Sequence, residues 1–477
     1  MKARFFLPLV CLFCLILASV SATAKPSNGG ACPAIVPINP PIDSPTSAPC
    51  ANSGCPDTSF NGAGFVITNT DGSIPKQNDV DSAQAVQQVI MPDGSTRLLA
   101  IGTTSNSTGS QGIALVRYNS DGSPDHGFGS NGIVTEFLPS VSGLVVDGVV
   151  DASGNIVVLS SANSGGSFVV ARFLPSGALD TSFNSKGYSS IISVKPESLA
   201  LDTNGNILIG GIYYPGKNVY GAVVRLTPGG TLDSSFGAAG QVTITALGDV
   251  SGLTTEGVNS ANYILAGGGN QVLRLSANGA IDHTFGGGAG VAVSNLCGFG
   301  YNIWVLKTDA AGNILAVGSG PATSGGSRKI GVTRFTANGI LDTTFGLNAT
   351  TGSSKTGFTI LDVFGSTNTA YSAAVFADGS SDFAVGGSAD VQSGTNISHY
   401  YFVAKYDSTG ALVLSFNNSH GVAALDWGSA NNFTVGRQNN GLLVEPSDGK
   451  LVVGTGTGFS SGPYTGYNFA VARLWPN

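Results

Sequence analysis

The chain of 477 residues is long enough for one large repeat fold or several smaller domains. Its 69 glycines are about twice the usual share of ~7%, which favours turns and closely packed strands over helices. Only 10% of the residues are charged and the net charge is −7, so the composition excludes a disordered polar chain and argues against binding to nucleic acid.

The first 24 residues have the pattern of a secretory signal peptide. Lys2 and Arg4 precede an apolar run over 5–20, and Ala22-Thr23-Ala24 supplies the small residues of a cleavage site. The apolar run is short for a membrane span of ~20 residues, which favours cleavage over an anchor. We therefore expect a mature chain that begins at Lys25, has no membrane span, and is secreted, periplasmic or on the cell surface. It would carry 19 cations and 28 acids, a net charge of −9.

Residues 25–55 are rich in Pro, Ser and Asn and predict an extended tail or linker. Export permits disulfides, and Cys32, Cys50 and Cys55 are the candidates in this segment. Cys297 lies far away in a later repeat. We expect one disulfide within the first three cysteines and none to Cys297.

A short phrase, Asp-Thr-Ser-Phe followed by a glycine, recurs from residue 56 to the end of the chain. A clear copy runs from Asp180 to Gly187, and in the last copy Val413 replaces the aspartate. A period of about 59 residues indicates a solenoid, a propeller or an array. The seven motif phenylalanines are Phe60, Phe128, Phe183, Phe236, Phe285, Phe345 and Phe416.

A cation precedes the motif phenylalanine by 11 residues in six copies, and it precedes the motif aspartate by eight residues in five of them. In the sixth copy both groups change together, to Lys405 and Val413, which indicates that cation and acid meet. The aspartates could also be metal ligands, but Asp and Gly are the residues that turns select. We expect structural pairs that join strand to turn and phenylalanines that fill the core. Representative copies are Arg117, Asp125, Phe128; Arg172, Asp180, Phe183; and Arg225, Asp233, Phe236.

One full period shows four short apolar runs separated by turn residues. The runs 198–202, 207–211, 221–226 and 241–246 predict strands, and Asn204-Gly205 between the first two is a hairpin signal. The seventh cation, Arg473, has no phenylalanine after it, and Phe60 has no cation 11 residues before it. One unit is therefore split between the two ends of the chain.

These units predict an all-β fold, a single seven-bladed β-propeller of four-stranded antiparallel blades over residues 56–477. A ring removes the sheet edges that a linear array would expose. The split unit would close the ring, with residues 65–68 pairing beside 469–474.

The phrases Gly205-Asn206-Ile207-Leu208, Val224-Arg225-Leu226 and Leu232-Asp233-Ser234-Ser235-Phe236-Gly237 resemble the bacterial delta-60 repeat. The resemblance covers about residues 56–477. It implies a propeller and does not imply one activity. Val413 and Lys405 depart from the repeat, as does the missing glycine in the turn before Tyr263.

No zinc-protease motif or phosphate loop occurs in the sequence, and we predict no catalytic, metal or cofactor-binding residues. His126 and His283 follow the motif aspartate at a variable position, which indicates exposure. The predicted function is an exported, monomeric, non-catalytic scaffold that binds a protein or carbohydrate. The alternative is a propeller hydrolase or lyase acting on carbohydrate or peptide. It would need convergent acids, or a histidine with an acid, at the central channel.

The two faces of such a ring should differ in their roles. The first-to-second and third-to-fourth connections share one face and repeat closely, whereas the other connections vary in length. Scaffolds commonly bind through variable loops, so we expect the ligand on the second face. Acids at the ends of fourth strands are the charged candidates, although loops normally carry charges and the simpler interpretation of these residues is ordinary solvated acids: Glu136, Asp362 and Asp426.

Overall fold

A computed structural model provides the structure of the protein. It describes residues 37–40, 42–43, 53–70, 79–139, 141, 143–162, 166–256, 262–294, 296, 301–321, 326–347, 355–393, 396–417, 419–426, 440–461 and 464–476. The predicted signal peptide, Cys32, Cys50 and Cys297 lie outside these residues. No helix of the described chain is long and apolar enough to cross a membrane.

The described strands form seven antiparallel sheets, the blades of a propeller, and the predicted fold class is confirmed. Three short strands come first: β1 (Ile42–Asp43), β2 (Phe65–Thr68) and β3 (Asp79–Val80). Blade 1 contains β4 (Ser82–Ile90), β5 (Thr96–Ser105), β6 (Gln111–Asn119) and β7 (Ile133–Glu136). Blade 2 contains β8 (Val145–Val150), β9 (Ile156–Ser161), β10 (Ser167–Phe173) and β11 (Tyr188–Ile192). Blade 3 contains β12 (Lys195–Leu201), β13 (Ile207–Tyr213), β14 (Tyr220–Leu226) and β15 (Gln241–Ile244).

The remaining blades follow the same order. Blade 4 contains β16 (Gly252–Glu256), β17 (Tyr263–Gly268), β18 (Gln271–Leu275) and β19 (Val291–Val293). Blade 5 contains β20 (Asn302–Thr308), β21 (Ile314–Pro321), β22 (Arg328–Phe335) and β23 (Phe358–Leu361). Blade 6 contains β24 (Thr367–Val375), β25 (Phe383–Ser393), β26 (Asn396–Tyr406) and β27 (Val422–Leu425). Blade 7 contains β28 (Leu442–Val444), β29 (Leu451–Ser461) and β30 (Tyr464–Leu474), with β2 as its fourth strand.

The first strand of each blade packs against the first strands of its neighbours, so these strands surround the central axis. The first-to-second and third-to-fourth connections lie on one side of the ring, which we call the turn face. The other connections lie on the opposite side, the loop face. Five first strands carry a β-bulge, which strengthens the local twist near the axis.

The first-to-second turns are held by an aspartate that bonds its own turn. Asp202 Oδ1 accepts the backbone N–H groups of Asn204 and Asn206, each at 2.9 Å, while Gly205 takes a φ of +77°. Asp151 and Asp309 open matching turns in blades 2 and 5. A side chain that satisfies the turn's own donors explains why Asp and Gly recur at these positions.

The motif phenylalanines are completely buried and pack between neighbouring blades. Phe183 of blade 2 lies beneath Gly230 in the third-to-fourth turn of blade 3. A Cβ on Gly230, which has a φ of +85°, would approach the ring to 2.6 Å. The glycine therefore supplies both the left-handed backbone and the space for the next blade's approach.

Blade 7 is assembled from both ends of the chain. β2 pairs with β30 in the register Phe65↔Ala472 to Thr68↔Phe469, as the split unit predicts. The third-to-fourth turn of this blade is cut in sequence but continuous in space. Gly54 N donates to Trp475 O at 2.8 Å, and Trp475 N donates to Cys55 O at 3.0 Å.

Part of the predicted tail adds to blade 6. β1 pairs in parallel with β27, Ile42 opposite Ala424, as a fifth and outermost strand. Ile38 bridges to Val363 between blades 5 and 6. The short strand β1 therefore covers the outer edge of β27 in blade 6.

Candidate functional site

The contacts that repeat from blade to blade on the turn face have an architectural role. Arg225 Nε donates to Asp233 Oδ2 at 2.8 Å, and the guanidinium lies 4.5 Å from the centre of the Phe236 ring. The same arginine donates to Ala277 O in the next blade. Each such cation therefore ties a strand, its own turn and the following blade together. The equivalent ion pairs are Arg117–Asp125, Arg172–Asp180, Arg274–Asp282, Arg334–Asp342 and Arg473–Asp57.

The loop face is asymmetric because two hairpins are longer than the others, most of all than the hairpin of blade 4; β5 and β6 of blade 1, with ten and nine residues, are intermediate. β25–β26 and β29–β30 each consist of two strands of 11 residues, whereas β17 and β18 of blade 4 have six and five. Compared with blade 4, the register places six extra residues of each strand at the loop-face end, which corresponds to roughly 20 Å of added height. Blades 6 and 7 therefore form a wall on one side of the channel mouth. Ser388 and Tyr400 lie within these strands and are part of the wall.

A polar cluster lies on the wall of blade 6. Asp390 and His399 are cross-strand partners, and Asp390 Oδ1 lies 2.8 Å from His399 Nδ1. Ser388, two residues before Asp390 and therefore on the same face of β25, donates to the hydroxyl of Tyr371 at 3.2 Å. We call these four side chains the wall cluster: Tyr371, Ser388, Asp390 and His399.

Charge and burial act together on Tyr371. Burial raises the pKa of its hydroxyl, and the charge of Asp390 raises it further, against opposing effects of the Ser388 hydrogen bond and the charge of Arg328. Tyr371 occupies the bulge of the innermost strand of blade 6, where an extra residue redirects a side chain. The cluster thus combines a neutral hydroxyl with an imidazole oriented by a carboxylate.

Half-buried aromatic residues lie between blades 5 and 6, on the face of the blade 6 hairpin opposite to Asp390 and His399, because side chains alternate along a strand. Trp304 occupies the matching bulge of blade 5 and donates from Nε1 to Ser319 Oγ at 3.1 Å. The rings of Phe364 and Tyr400 lie 5.6 Å apart. Lys329 Nζ lies 2.8 Å from Asp362 Oδ2 at the same boundary.

The three acids proposed as ligand groups end the outer strands of three blades. Glu136 closes β7 of blade 1, Asp362 follows β23 of blade 5 and Asp426 follows β27 of blade 6. The sheet order therefore places them on the perimeter of the loop face rather than at the axis. Asp362 is buried and neutralised by Lys329, and burial raises the pKa of Glu136.

A second polar cluster crosses the central channel. Lys307 of β20 donates from Nζ to Asn440 Oδ1 at 3.0 Å, and Asn440 Nδ2 donates to Asp147 Oδ1 of β8 at 3.0 Å. Lysine only donates and an ionised carboxylate only accepts, which orients the amide between them. We call this the channel network: Lys307, Asn440 and Asp147.

The channel network contains strongly perturbed acid and base groups. Burial raises the pKa of Asp147 to about 6, although the hydrogen bond from Asn440 and the charge of Lys307 oppose this. Burial also lowers the pKa of Lys307, and the charge of Asp147 offsets part of that effect. Asp147 is fully buried, and its Oδ2 has no hydrogen-bond partner in the described part of the chain.

Within the described residues, no group of three or more His, Cys, Asp or Glu side chains is arranged to hold a metal ion. Cys55 is fully buried and disulfide-bonded, and its partner lies outside the described residues.

The sequence pattern did not single out the wall cluster or the channel network. Their members come from non-repeating positions, so no period marks them. The available signal was the presence of unusual polar residues in first strands, such as Asp147 within an apolar run and Lys307 after Leu306. Residues with strongly perturbed pKa values, such as these two, cluster at functional sites.

Four segments match the family described as "Domain of unknown function (DUF5122) beta-propeller": residues 92–128, 147–183, 203–236 and 312–345. These segments are propeller repeats. The match supports a propeller repeat family, and the delta-60 name remains an expectation. No curated protein matches the chain.

Several solved structures are similar to the chain. A polysaccharide lyase, Uly1, shares 8% identity over 86% of this chain and 94% of its own, with a TM-score of 0.43. A protein from Lactobacillus plantarum shares 12% identity over 79% and 99%, with a TM-score of 0.42. An ulvan lyase bound to a saccharide shares 10% identity over 86% and 96%, with a TM-score of 0.37. Similarity at this level is too low to assign an activity or a substrate.

Proposed function

We propose that this protein is an exported propeller that binds a carbohydrate chain on its loop face without altering it chemically. The observation that carries the proposal is the wall of blades 6 and 7, which has the wall cluster on one face of the blade 6 hairpin and half-buried aromatic rings on its other face. A wall on one side of a channel mouth leaves an open-sided groove, and such a groove suits a chain longer than the ring is wide.

The chemistry of the wall favours a sugar over a peptide. Sugar rings present an apolar face and hydroxyl edges, and half-buried aromatics such as Trp304 and Tyr400 offer flat apolar surface. Ser388, Asp390 and His399 supply a donor and acceptors within a few ångströms of one another. Binding sites generally pair apolar and aromatic surface with a few placed polar groups. The perimeter acids Glu136 and Asp426 would contribute weakly, because exposed charges are screened.

The test is to compare binding of neutral and acidic polysaccharides, and of a peptide library, to the intact protein and to a wall-deleted variant. In that variant a short Gly-Ser turn replaces residues 390–399, which leaves two strands of seven residues, like the hairpin of blade 3. The matched control is His126→Ala combined with His283→Ala on the turn face. We expect polysaccharide affinity to fall at least tenfold in the first variant and to stay unchanged in the second. If the folded His126→Ala/His283→Ala variant loses binding while the wall-deleted variant keeps it, the site lies on the turn face. Peptide binding without polysaccharide binding would reject a carbohydrate ligand.

A second candidate, a carbohydrate lyase or hydrolase, is favoured by one observation. Asp390 orients His399 through Nδ1, which leaves Nε2 directed away from the carboxylate, and the Tyr371 hydroxyl lies in the same cluster. A positioned imidazole and a phenol are suitable general acid and base groups. In an elimination, one group would remove a proton beside a uronate carboxyl while the glycosidic C–O bond breaks, and the leaving oxygen would gain a proton.

Turnover separates the two candidates. Substrates bound by the wild type are incubated with wild type, His399→Ala and Tyr371→Phe, and both new reducing ends and unsaturated products are measured. A non-catalytic scaffold gives neither product in any variant. Cleavage by the wild type that is lost in His399→Ala, with binding retained, would establish the enzyme instead.

Export is the other part of the proposal. A signal-type segment precedes the propeller in sequence, and the intact mass of secreted material should correspond to a chain that begins at Lys25. A secreted chain that still contains Met1 would contradict cleavage.

A further inference from the structure

An open cavity of about 330 Å³ lies on the turn face between blades 6 and 7. It occurs where the repeat departs from its own pattern, at Lys405 and Val413. Other blades place an arginine and an aspartate at these two positions, as in Arg334 and Asp342. Replacing a guanidinium by a slimmer ammonium and a carboxylate by an isopropyl group removes the buried ion pair from this boundary.

Lys405 performs only part of the arginine's role. Its Nζ donates to Pro476 O of blade 7 at 3.0 Å, which preserves the tie to the next blade. Its charge lies 4.7 Å from the centre of the Phe376 ring. Val413 is a partly buried apolar residue and offers no acceptor. The fork-shaped set of donors that an arginine supplies is therefore absent at this boundary.

The walls of the cavity are acidic. Four carboxylates line it with one lysine: Asp378, Asp382, Glu445, Asp448 and Lys405. Asp382 Oδ1 accepts Ser408 N at 3.0 Å and Asp378 Oδ1 accepts Ser380 N at 2.9 Å. Asp448 Oδ2 lies 2.9 Å from Lys450 Nζ.

Glu445 provides the observation that points to a ligand. It is 4% exposed, it lines the cavity, and its Oε2 has no hydrogen-bond partner among the residues that the structure describes. The nearest cation is Arg473, whose Nη1 lies 3.8 Å from Oε2 and is already bonded to Ser120 O. Burial raises the pKa of Glu445 to about 7, which the charges of Arg473 and Lys450 only partly oppose. A buried carboxylate oxygen without a donor is costly unless a donor arrives.

We propose that this cavity binds the guanidinium group of a ligand, which would occupy the acidic space that a motif arginine fills elsewhere in the ring. A planar guanidinium provides several donors for Glu445 and Asp382 at once, and it stacks on apolar or aromatic surface. A metal ion is less suitable, because no metal-holding group of acids, histidines and cysteines is present in the described chain. The guanidinium could belong to a small free molecule or to an arginine side chain of a partner.

The experiment titrates full-length protein with agmatine and, separately, with the blocked tripeptide acetyl-Gly-Arg-Gly-amide, using calorimetry. Butylamine, which has one ammonium group and no guanidinium, is the chemical control. We expect millimolar or tighter binding of a guanidinium probe and weaker binding of butylamine. Equal affinity for agmatine and the peptide would show that a small free guanidinium compound is sufficient for binding. Binding of the peptide alone would show that the ligand is an arginine side chain of a peptide partner.

Two variants test the location. Glu445→Gln should weaken binding about tenfold, since it removes one charge-assisted acceptor. The double variant Lys405→Arg with Val413→Asp restores the repeat's own ion pair and should abolish binding while keeping the fold. Glu136→Gln, which removes one charge on the loop face, should leave affinity unchanged. Failure of both probes to bind the wild type, or undiminished binding by Glu445→Gln, overturns the proposal.

Discussion

Arg473 Nε donates to Asp57 Oδ2 at 2.7 Å, although 416 positions separate the two residues in sequence. Both are buried, and Arg473 also donates to Ser120 O of blade 1. The internal pair Arg225–Asp233 has the same geometry within one continuous blade. The chain ends are therefore joined by the same interaction that joins strand and turn elsewhere, and the ring closes without a covalent link at this point.

The Arg473–Asp57 pair should contribute more to the cooperative unfolding of the ring than the internal pair Arg225–Asp233. Burial opposes the ionisation of Asp57, but hydrogen bonds from Ser59 and the charges of Arg473 and Lys450 outweigh it and hold its pKa below the usual range. Arg473→Met removes the guanidinium that pairs with the buried Asp57 carboxylate and should destabilise the protein by ~3–5 kcal/mol. Urea unfolding measures the loss, and hydrogen exchange should show β2 and β30 opening first.

The matched control for this change is Arg225→Met in blade 3. Its partner Asp233 is more exposed, with 16% of its side chain accessible against 0% for Asp57, so we expect a smaller loss. Equal loss in both variants, with no selective exchange in β2 and β30, would contradict a special role for closure.

Deletion of residues 467–477 should remove the partner of β2. The pairing Phe65↔Ala472 to Thr68↔Phe469 would be lost, leaving β2 and most of β29 with open edges. Exposed edges favour association between molecules, so we expect aggregation and a broad, non-cooperative thermal transition. Calorimetry and light scattering against the full-length chain are the measurements. A truncated protein that melts like the full-length one would contradict ring closure by the split blade.

Asp147 should make the folded protein less stable as pH rises. Its pKa is raised from 3.8 to about 6 on folding, so the native state holds a proton between these values that the unfolded state has released. The free energy of unfolding should therefore fall by ~2–3 kcal/mol from this group between about pH 4 and pH 7. The measurement is the difference between wild type and Asp147→Asn, because Glu445 contributes a slope of the same sign. Identical slopes in both proteins would show that Asp147 titrates normally.

Cys55 should be bridged to Cys32 or Cys50 rather than to Cys297. Cys55 belongs to the third-to-fourth turn of blade 7, whereas Cys297 lies between β19 of blade 4 and β20 of blade 5 in sequence. A disulfide needs Cα atoms within about 7 Å, and blades 4 and 7 are not neighbours. Peptide mapping without reduction decides the pairing. A Cys55–Cys297 peptide would refute this geometry.

The number of blades, the strand order and the split unit follow from the sequence by itself. They depend on local signals that repeat: Asp and Gly turns such as Asp202 to Asn206, alternating apolar runs, and a phenylalanine such as Phe183 at a constant distance from its cation. In the period 195–244 the predicted strands differ from the observed ones by at most three residues at any end. The largest difference is at the start of β12, where the bulge between Pro196 and Ser198 extends the strand.

Only the tertiary structure decided which non-repeating side chains meet. Lys307 and Asn440 are 133 positions apart, and Asn440 and Asp147 are 293 apart, so no local pattern relates them. They come together because ring closure brings the first strands of blades 2, 5 and 7 to one axis. Likewise, the cavity beside Glu445 combines a substitution in blade 6 with a buried carboxylate of blade 7 whose Oε2 accepts no hydrogen bond from the described residues. The free energy of such contacts depends on burial and on partners supplied by other blades, and both are properties of the closed ring rather than of any one segment.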